Sequence, residues 1–230
     1  LFFSCRVLGN SRQLHAYDLT TGTTTVVGTE TGPDRLTAVG NLLFYAAEGG
    51  FGIGEELYVS DGTIAGTQLV ANINTNNNGT ANSLPRDLVA FDDNCYFSAT
   101  NGGTNQGREL WRSDGTSVTL VDDVRPGGNS SSPEALVAAG STLFFVANTG
   151  NAVAGNTSGK EIFRYTVGGS SQQLCVNATG AAFAGTPRVA KLGDDAIVAS
   201  AYASAATGRE PWVDSGTTAR LVIDLNPIGN

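Results

Sequence analysis

Short apolar runs separated by turn residues recur along the chain in a fixed order, and we label them segments a to d. Segment a follows a proline, segment b is an aromatic or aliphatic run, segment c has the form Glu-Leu-Trp, and segment d is a short apolar pair. One full set is Leu88-Val89-Ala90, Cys95-Tyr96-Phe97, Glu109-Leu110-Trp111 and Leu120-Val121. Such runs, bounded by Gly, Asp and Asn, predict strands. No stretch has a sustained 3.6-residue period, so almost no helix is expected.

The repeat has a countable period. The Glu of segment c lies at positions 56, 109, 161 and 210, which gives steps of 53, 52 and 49 residues, and the first step, from Gln13, is 43. Four strands in about 50 residues are typical of a β-propeller blade. Five copies of segments b, c and d predict an all-β protein, a five-bladed β-propeller of four-stranded antiparallel blades around a central channel. A two-sheet sandwich is the alternative, but it leaves the strict period unexplained.

The predicted propeller forms a single domain over residues 1–230, with repeat units at approximately 1–32, 33–84, 85–132, 133–186 and 187–230. Segment a occurs only four times, so one strand is missing from the pattern. Ring closure predicts that residues 1–5 and 221–225 lie in one sheet or in neighbouring blades. The missing strand is expected in a removed segment or from another molecule, which makes self-association a candidate property.

Composition and charge narrow the class of protein. There are 13 Lys and Arg against 21 Asp and Glu, a net charge of −8, and no basic cluster, which argues against a nucleic-acid partner. No apolar run approaches the roughly 20 residues of a membrane-spanning helix. The chain contains no Met and starts inside a strand-like run, which we interpret as the processed product of an exported precursor. Cys5, Cys95 and Cys175 are expected to be buried free thiols.

Segments c and their turns carry a resemblance. Glu109-Leu110-Trp111-Arg112-Ser113-Asp114-Gly115-Thr116 and Glu56-Leu57-Tyr58-Val59-Ser60-Asp61-Gly62-Thr63 resemble the E-L-W-x-x-D-G-T repeat of exported bacterial surface proteins. The resemblance implies a secreted or cell-surface β-propeller, and it implies no particular chemistry. In size and architecture the chain is also similar to five-bladed tachylectin-type lectins, which is an analogy of shape.

The sequence offers few catalytic residues. His15, the single histidine, stands where other copies have an aromatic residue, so a packed ring is expected and a histidine triad is not. The recurrent carboxylates could suggest glycoside hydrolysis, but a true acid/base pair needs two different environments, so a structural role is favoured. Asp122 and Asp123 are candidate calcium ligands, although their spacing matches no defined calcium loop, and no other cofactor is expected. The recurrent carboxylates are Glu56, Glu109, Glu161 and Glu210.

Three classes of function fit these observations. The favoured one is a non-catalytic, lectin-like module that binds glycans or a surface protein, because rigid repeats carry variable loops rich in Asn, Ser, Thr and Gly. The alternatives are a structural subunit of a surface layer, fibre or matrix, and a polysaccharide-acting hydrolase or lyase. Candidate binding residues are Tyr58, Trp111, Trp212, Asn78 and Asn129.

A basic residue precedes the position of the recurrent Glu in four copies, in one of which that position is Gln13, and the base lies on the opposite face of the strand. The sequence therefore predicts that each Glu meets the base of the next blade, with Gln13 replacing Glu where the next blade has Glu55. The predicted pairs are Glu56 with Arg108, Glu109 with Lys160, Glu161 with Arg209, and Glu210 with Arg12.

Overall fold

The structure, a computed structural model, describes residues 1–6, 11–50, 52–76, 81–102, 107–150, 159–174, 188–204, 208–214 and 219–221, with the backbone alone for 200–204, 208–211 and 219–221. The chain divides into two compact units, Leu1–Val121 and Asp122–Asn230. The described elements are all strands, in agreement with the expected all-β class. Within the described part, no helix combines the length and apolarity needed to cross a membrane.

The first unit holds three antiparallel sheets, each ordered as in the sequence. The first sheet has three strands: β1 (Phe2–Arg6), β2 (Arg12–Tyr17) and β3 (Thr24–Val26). The second sheet has four: β4 (Thr31–Val39), β5 (Leu42–Glu48), β6 (Glu55–Ser60) and β7 (Gln68–Ala71). The third sheet has four strands: β8 (Arg86–Phe91), β9 (Asn94–Thr100), β10 (Arg108–Ser113) and β11 (Val118–Asp122). Its last residue, Asp122, is the first residue of the second unit.

The second unit holds two four-stranded antiparallel sheets. The fourth sheet contains β12 (Glu134–Ala139), β13 (Thr142–Asn148), β14 (Lys160–Tyr165) and β15 (Gln172–Gln173). The fifth sheet contains β16 (Arg188–Leu192), β17 (Ala196–Ser204), β18 (Gly208–Asp214) and β19 (Ala219–Leu221). The prediction of a repeated four-stranded antiparallel unit is therefore confirmed to this extent: several of the sheets are antiparallel and have four strands.

The core forms where the middle strands of adjacent sheets pack face to face. In the first unit, Phe44 and Leu57 of the second sheet pack with Phe97 and Trp111 of the third. Segments b and c read as near-continuous apolar runs because both of their faces are covered, which a strand with one solvated face would not be. In the second unit, Phe144, Ile162 and Ile197 form the equivalent cluster.

The hairpins that join segments c and d are held by their own side chains. Asp61 Oδ1 accepts hydrogen bonds from the Thr63 amide and hydroxyl, each at 2.8 Å, and the Gly62 amide donates to Ser60 Oγ at 3.1 Å. Asp114 repeats the arrangement with Thr116. The Ser-Asp-Gly-Thr segment is thus a structural turn in both copies.

Each turn glycine lies against the preceding sheet of the first unit. Gly62 has φ of 96°, and a Cβ built on it would lie 3.5 Å from Phe2 Cζ. Gly115 has φ of 93°, and its Cβ would approach Leu42 Cδ1 at 3.0 Å and Phe44 Cζ at 3.5 Å. The backbone conformation favours glycine at both positions, and at Gly115 the close approach of Leu42 disfavours a side chain as well.

Segment a is irregular at its beginning. The residue two positions after the proline has a positive φ in three copies, at Arg35, Asp87 and Ala135. At each of these places the pairing with segment b shifts register, which is the signature of a β-bulge. These strands lie at sheet edges, where a proline leaves no ladder donor missing.

Candidate functional site

In the second sheet, the recurrent Glu of segment c holds the loop that leads to the next segment a. In β6, the fully buried Glu56 accepts hydrogen bonds from the Ile73 amide at 3.0 Å, the Ser83 amide at 3.1 Å and the Ser83 hydroxyl at 2.5 Å. Burial raises the pKa of Glu56, and the bonds from Ser83, Ile73 and Asn74 oppose that rise. The role of Glu56 in this structure is to fix a loop.

The predicted ion pair between Glu56 and Arg108 is wrong. Ser83 lies between the two side chains, donating its amide and hydroxyl to Glu56 and accepting from Arg108 Nη2 through its carbonyl at 3.4 Å. Arg108 also donates to the carbonyls of Leu84 and Ser98 at 2.8 and 3.1 Å. A signal for this arrangement exists in the sequence, because a serine recurs two residues before the proline, at Ser83 and Ser131.

The residue before the recurrent Glu is paired within its own sheet. Glu55 in β6 forms an ion pair with Arg35 of β4 at 3.3 Å, and Lys160 in β14 forms one with Glu134 of β12 at 2.7 Å. The two pairs have opposite polarity, so the acidic departure at Glu55 is compensated inside the second sheet.

The other three predicted pairs stay predictions. Glu109 and Lys160 belong to different units, and the side chains of Arg209 and Glu210 lie outside the described residues. Glu161 is 5% exposed, and its Oε2 has no hydrogen-bond partner among the described residues. Burial raises the pKa of Glu161 to about 7.

The first unit supplies one buried carboxylate that the sequence patterns did not single out. In segment c of the first sheet, Gln13 stands at the position of the recurrent Glu. The buried carboxylate is instead Glu30, which is 5% exposed and accepts a hydrogen bond from Tyr45 Oη at 2.6 Å. A Cβ at Gly28 would lie 1.9 Å from Glu30 Oε1, so the carboxylate occupies the space that glycine leaves. Burial, reinforced by Glu30, raises the pKa of Tyr45.

The candidate binding aromatics lie inside the sheets. Tyr58 is 6% exposed and stacks on Tyr45, and Trp111 is 8% exposed and donates from its indole to the Ala99 carbonyl at 3.0 Å. Their burial favours a role in packing over one in binding. Trp212 is half-buried and packs against the core cluster of the second unit.

The other candidates from the sequence are dispersed. Asn129 is exposed in a loop, and Asn78 lies outside the described residues. Asp122 accepts from the Ser171 amide at 2.7 Å, Asp123 beside it is half-buried, and calcium there stays a prediction. Within the described residues, no group of three or more His, Cys, Asp or Glu side chains could hold a metal ion.

Packing explains the histidine and two of the three cysteines. His15 is 8% exposed and stacks on Phe3 with ring centroids 5.3 Å apart, as expected for a packed ring. Cys5 and Cys95 are free thiols; Cys95 is buried as expected, which raises its pKa, whereas Cys5 is half-buried. Cys175 lies outside the described residues.

A polar pocket of about 330 Å³ lies in the second sheet, at the end where the β5–β6 loop and the start of β4 meet. We call it the β4–β6 pocket. Glu48 and Glu55 face each other directly across β5 and β6, and Glu48 is also opposite Thr31 of β4. Like charges in facing positions are unfavourable, so this arrangement is not explained by sheet stability. The lining residues are Thr31, Gly32, Asp34, Arg35, Glu48 and Glu55.

One guanidinium pairs with two of the three carboxylates in the β4–β6 pocket. Arg35 Nη1 lies 3.2 Å from Asp34 Oδ2 and 3.3 Å from Glu55 Oε1, while the exposed Glu48 has no ion-pair partner among the described residues. Arg35 has φ of 56°, the conformation that Asp87 and Ala135 share at the equivalent bulges of the third and fourth sheets. The pocket therefore presents several acceptors and one planar donor on a rigid sheet end.

Comparison with solved structures gives a fold and no family. No protein-family model matches the sequence, and no curated protein matches it. The chain is similar to the β-propeller domain of the Trilobed protease from Pyrococcus furiosus, with a TM-score of 0.59 and 9% identity over 99% of this chain and 69% of that one. It is also similar to Porphyromonas gingivalis dipeptidyl peptidase 4, with a TM-score of 0.59 and 14% identity over 93% of this chain and 30% of that one.

A third similarity, to TolB from Acinetobacter baumannii, has a TM-score of 0.47 and 13% identity and covers the whole of this chain. The chain spans 52% of the length of TolB and 30% of the peptidase. Identities this low concern architecture alone. The antiparallel four-stranded sheets and the likeness to the protease domain together show that this protein has a fold of the β-propeller type.

Proposed function

We propose that this protein is a non-catalytic binding module, secreted or on the cell surface, that binds glycans at the β4–β6 pocket. In this proposal the five described sheets are the blades of a five-bladed propeller built from E-L-W-x-x-D-G-T-type repeats. The export of the protein rests on the resemblance of those repeats to surface proteins.

The observation that carries the proposal is the polar lining of the β4–β6 pocket. The guanidinium of Arg35 pairs with Asp34 and Glu55, and Glu48 and Thr31 also line the pocket. Sugar hydroxyls both donate and accept hydrogen bonds, so a set of fixed acceptors with one fixed donor suits them. The volume of about 330 Å³ is at the lower end of small-ligand pockets, about 300–1,000 Å³.

The surroundings of the carboxylates favour binding over catalysis. A carboxyl that donates a proton in glycoside hydrolysis is usually held in buried apolar surroundings. Glu48 is exposed to water, and Glu55 lies beside a guanidinium. Neither environment provides the apolar contact that a catalytic acid needs.

Calorimetry on variants tests the proposal after a glycan array has identified a sugar. Glu48→Gln removes the one pocket carboxylate without an ion pair, and Asp93→Asn is the matched control, since Asp93 is an exposed carboxylate in the hairpin turn between β8 and β9. We expect the first change to weaken binding by about tenfold and the control to leave it unchanged. Binding to no glycan, or equal binding by both variants, would refute the proposal.

A second candidate function is a glycoside hydrolase, and one observation favours it. Glu48 and Glu55 occupy facing positions in one pocket, and only Glu55 is held by Arg35, so the two carboxylates have different environments. Release of reducing ends from a glycan that binds the pocket would support this candidate, and its loss in Glu48→Gln at unchanged affinity would assign the chemistry.

A further inference from the structure

The first sheet differs from the other four at the edge formed by its segment b strand, β1. It consists of β1, β2 and β3, and β1 is an edge strand with nothing paired to its outer side among the described residues. The corresponding strands β5, β9, β13 and β17 are each covered by a segment a strand, namely β4, β8, β12 and β16.

The uncovered strand β1 is less buried than the covered strands β5 and β9. The inner five residues of β5 and of β9 are buried, whereas no residue of β1 is buried and Arg6 is exposed. The Ser4 hydroxyl is shielded from solvent and has no hydrogen-bond partner among the described residues. Among the described residues, β1 therefore lacks the covering strand that buries β5 and β9.

The direction of the free backbone groups follows from the pairing of β1 with β2. Leu1 and Tyr17 exchange hydrogen bonds in both directions, at 2.9 and 2.7 Å, so they are a hydrogen-bonded pair. Along an antiparallel strand such pairs alternate with pairs whose backbone groups point away from the partner. The amides and carbonyls of Phe2, Ser4 and Arg6 accordingly point outward, away from β2.

The other sheets show which sequence covers this kind of edge. Ala38 lies opposite Leu43, and Ala138 lies opposite Leu143. The residue before each alanine lies opposite an aromatic ring, as Val137 does with Phe144. The covering strands read Leu36-Thr37-Ala38, Leu88-Val89-Ala90 and Leu136-Val137-Ala138. In β1 and the residue before it, Leu1 and Phe2 repeat the Leu-Phe pair found at Leu43 and Phe44 and at Leu143 and Phe144.

We propose that β1 is an open acceptor edge that binds an extended peptide segment of the pattern Leu-(Thr/Val)-Ala in antiparallel register. The alanine lies opposite Leu1 and the Thr or Val opposite Phe2, as in the second and fourth sheets. The outward amides and carbonyls of Phe2, Ser4 and Arg6 supply the main-chain hydrogen bonds, and the alternate side chains supply the selectivity.

The experiment uses the whole chain and a fluorescent peptide with the sequence of residues 131–141, which contains Leu136-Val137-Ala138, and a scrambled peptide of the same composition. Ser4→Pro removes one outward amide of β1 without removing a bond to β2. Thr24→Pro is the matched control, because Thr24 alternates with Thr23 and Val27, whose backbone groups bond to β2, and so points outward on the opposite edge of the same sheet. We expect Ser4→Pro to weaken peptide binding by roughly fivefold to tenfold and Thr24→Pro to leave it unchanged.

Amide exchange in the unaltered protein gives a second readout that does not depend on the folding of Ser4→Pro. The peptide is expected to slow exchange of the Phe2, Ser4 and Arg6 amides and to leave the β3 amides unaffected. Equal binding of the scrambled peptide, or a Ser4 amide that is already protected before peptide is added, would overturn the proposal. A dimer that excludes the peptide in light scattering would overturn it in favour of a second copy as the occupant.

Discussion

The two ends of the second sheet contain similar polar residues, but these residues differ in how far their hydrogen bonds are satisfied within their own turn. At the turn end, Asp61 and Ser60 accept from amides and hydroxyls of their own turn. At the loop end, Glu48 and Glu55 face each other across two strands, and one guanidinium pairs with Glu55 alone of the two. Polar residues whose partners lie within their own turn serve the fold, whereas polar groups left over by the fold are available to a ligand.

The third sheet repeats the turn end. Asp114 accepts from the amide and hydroxyl of Thr116 and the amide of Ser117, and these bonds lower the pKa of Asp114 to about 2. The turn end consequently keeps its charge and its geometry over the whole physiological pH range.

Removing the buried carboxylate of β6 is expected to have the largest effect. Glu56→Ala leaves the Ile73 and Ser83 amides and the Ser83 hydroxyl without their acceptor in a buried site. The free energy of unfolding should fall by about 3–5 kcal/mol. Urea denaturation followed by tryptophan fluorescence measures it. A loss below about 1 kcal/mol would mean that the loop end does not depend on this residue.

The turn end can be broken through its glycines. Gly115→Ala forces a side chain into a positive φ and places Cβ 3.0 Å from Leu42 Cδ1, so we expect a loss of about 2–3 kcal/mol. Gly62→Ala has the same backbone strain but a nearest contact of 3.5 Å, and should lose about 1–2 kcal/mol. The difference between the two denaturation midpoints measures the contact with the preceding sheet. Equal losses would show that the backbone strain accounts for the whole effect.

Glu161, which has in the fourth sheet the position that Glu56 has in the second, predicts a pH-dependent stability. Because burial raises the pKa of Glu161 from 4.5 to about 7, the folded state binds a proton where the unfolded chain has lost it. The contribution of this group to stability is therefore full below pH 4.5 and is lost as the pH rises towards 7. Glu161→Gln stays neutral, and should gain about 1–2 kcal/mol over the unaltered protein between pH 5 and pH 8.

Thermal unfolding at several pH values checks this expectation. Glu134→Gln in the same sheet is the control, since Glu134 is partly exposed and paired with Lys160. A difference between Glu161→Gln and the unaltered protein that stays constant with pH would contradict the assignment.

The smallest change in stability is expected in the β4–β6 pocket. Arg35→Gly removes a partly exposed ion pair, worth about 1 kcal/mol, and also relieves a positive φ. The two effects oppose each other, so the melting temperature should change little while glycan affinity falls. A large loss of stability would show that the pocket residues serve the fold, like those of the turn end.

The sequence predicted the parts of this fold that depend on local pattern. The Ser-Asp-Gly-Thr turns, the buried thiol of Cys95 and the packed ring of His15 followed from residue type and spacing. The insertion of Ser83 between Glu56 and Arg108 did not, because the alternation of side chains along a strand does not determine the path of the loop between two sheets.

The β4–β6 pocket was also missed, for a physical reason. It forms where β4 bulges and Arg35 takes a positive φ, and arginine gives no sign of that conformation. Glu48 and Glu55 were separated by a glycine-rich loop, so their facing positions appeared only once the register of β5 and β6 was known.

The packing of the two turn glycines, Gly62 and Gly115, against the preceding sheet affects the order in which the sheets can form. Since Gly115 contacts Leu42 and Phe44, the turn of the third sheet cannot reach its final packing until the second sheet has formed, and Gly62 depends in the same way on Phe2. Coupling between nearest neighbours makes such an array cooperative along the chain. Local opening of one sheet should therefore loosen the turn of the sheet that follows it, and leave the turn of the sheet before it closed.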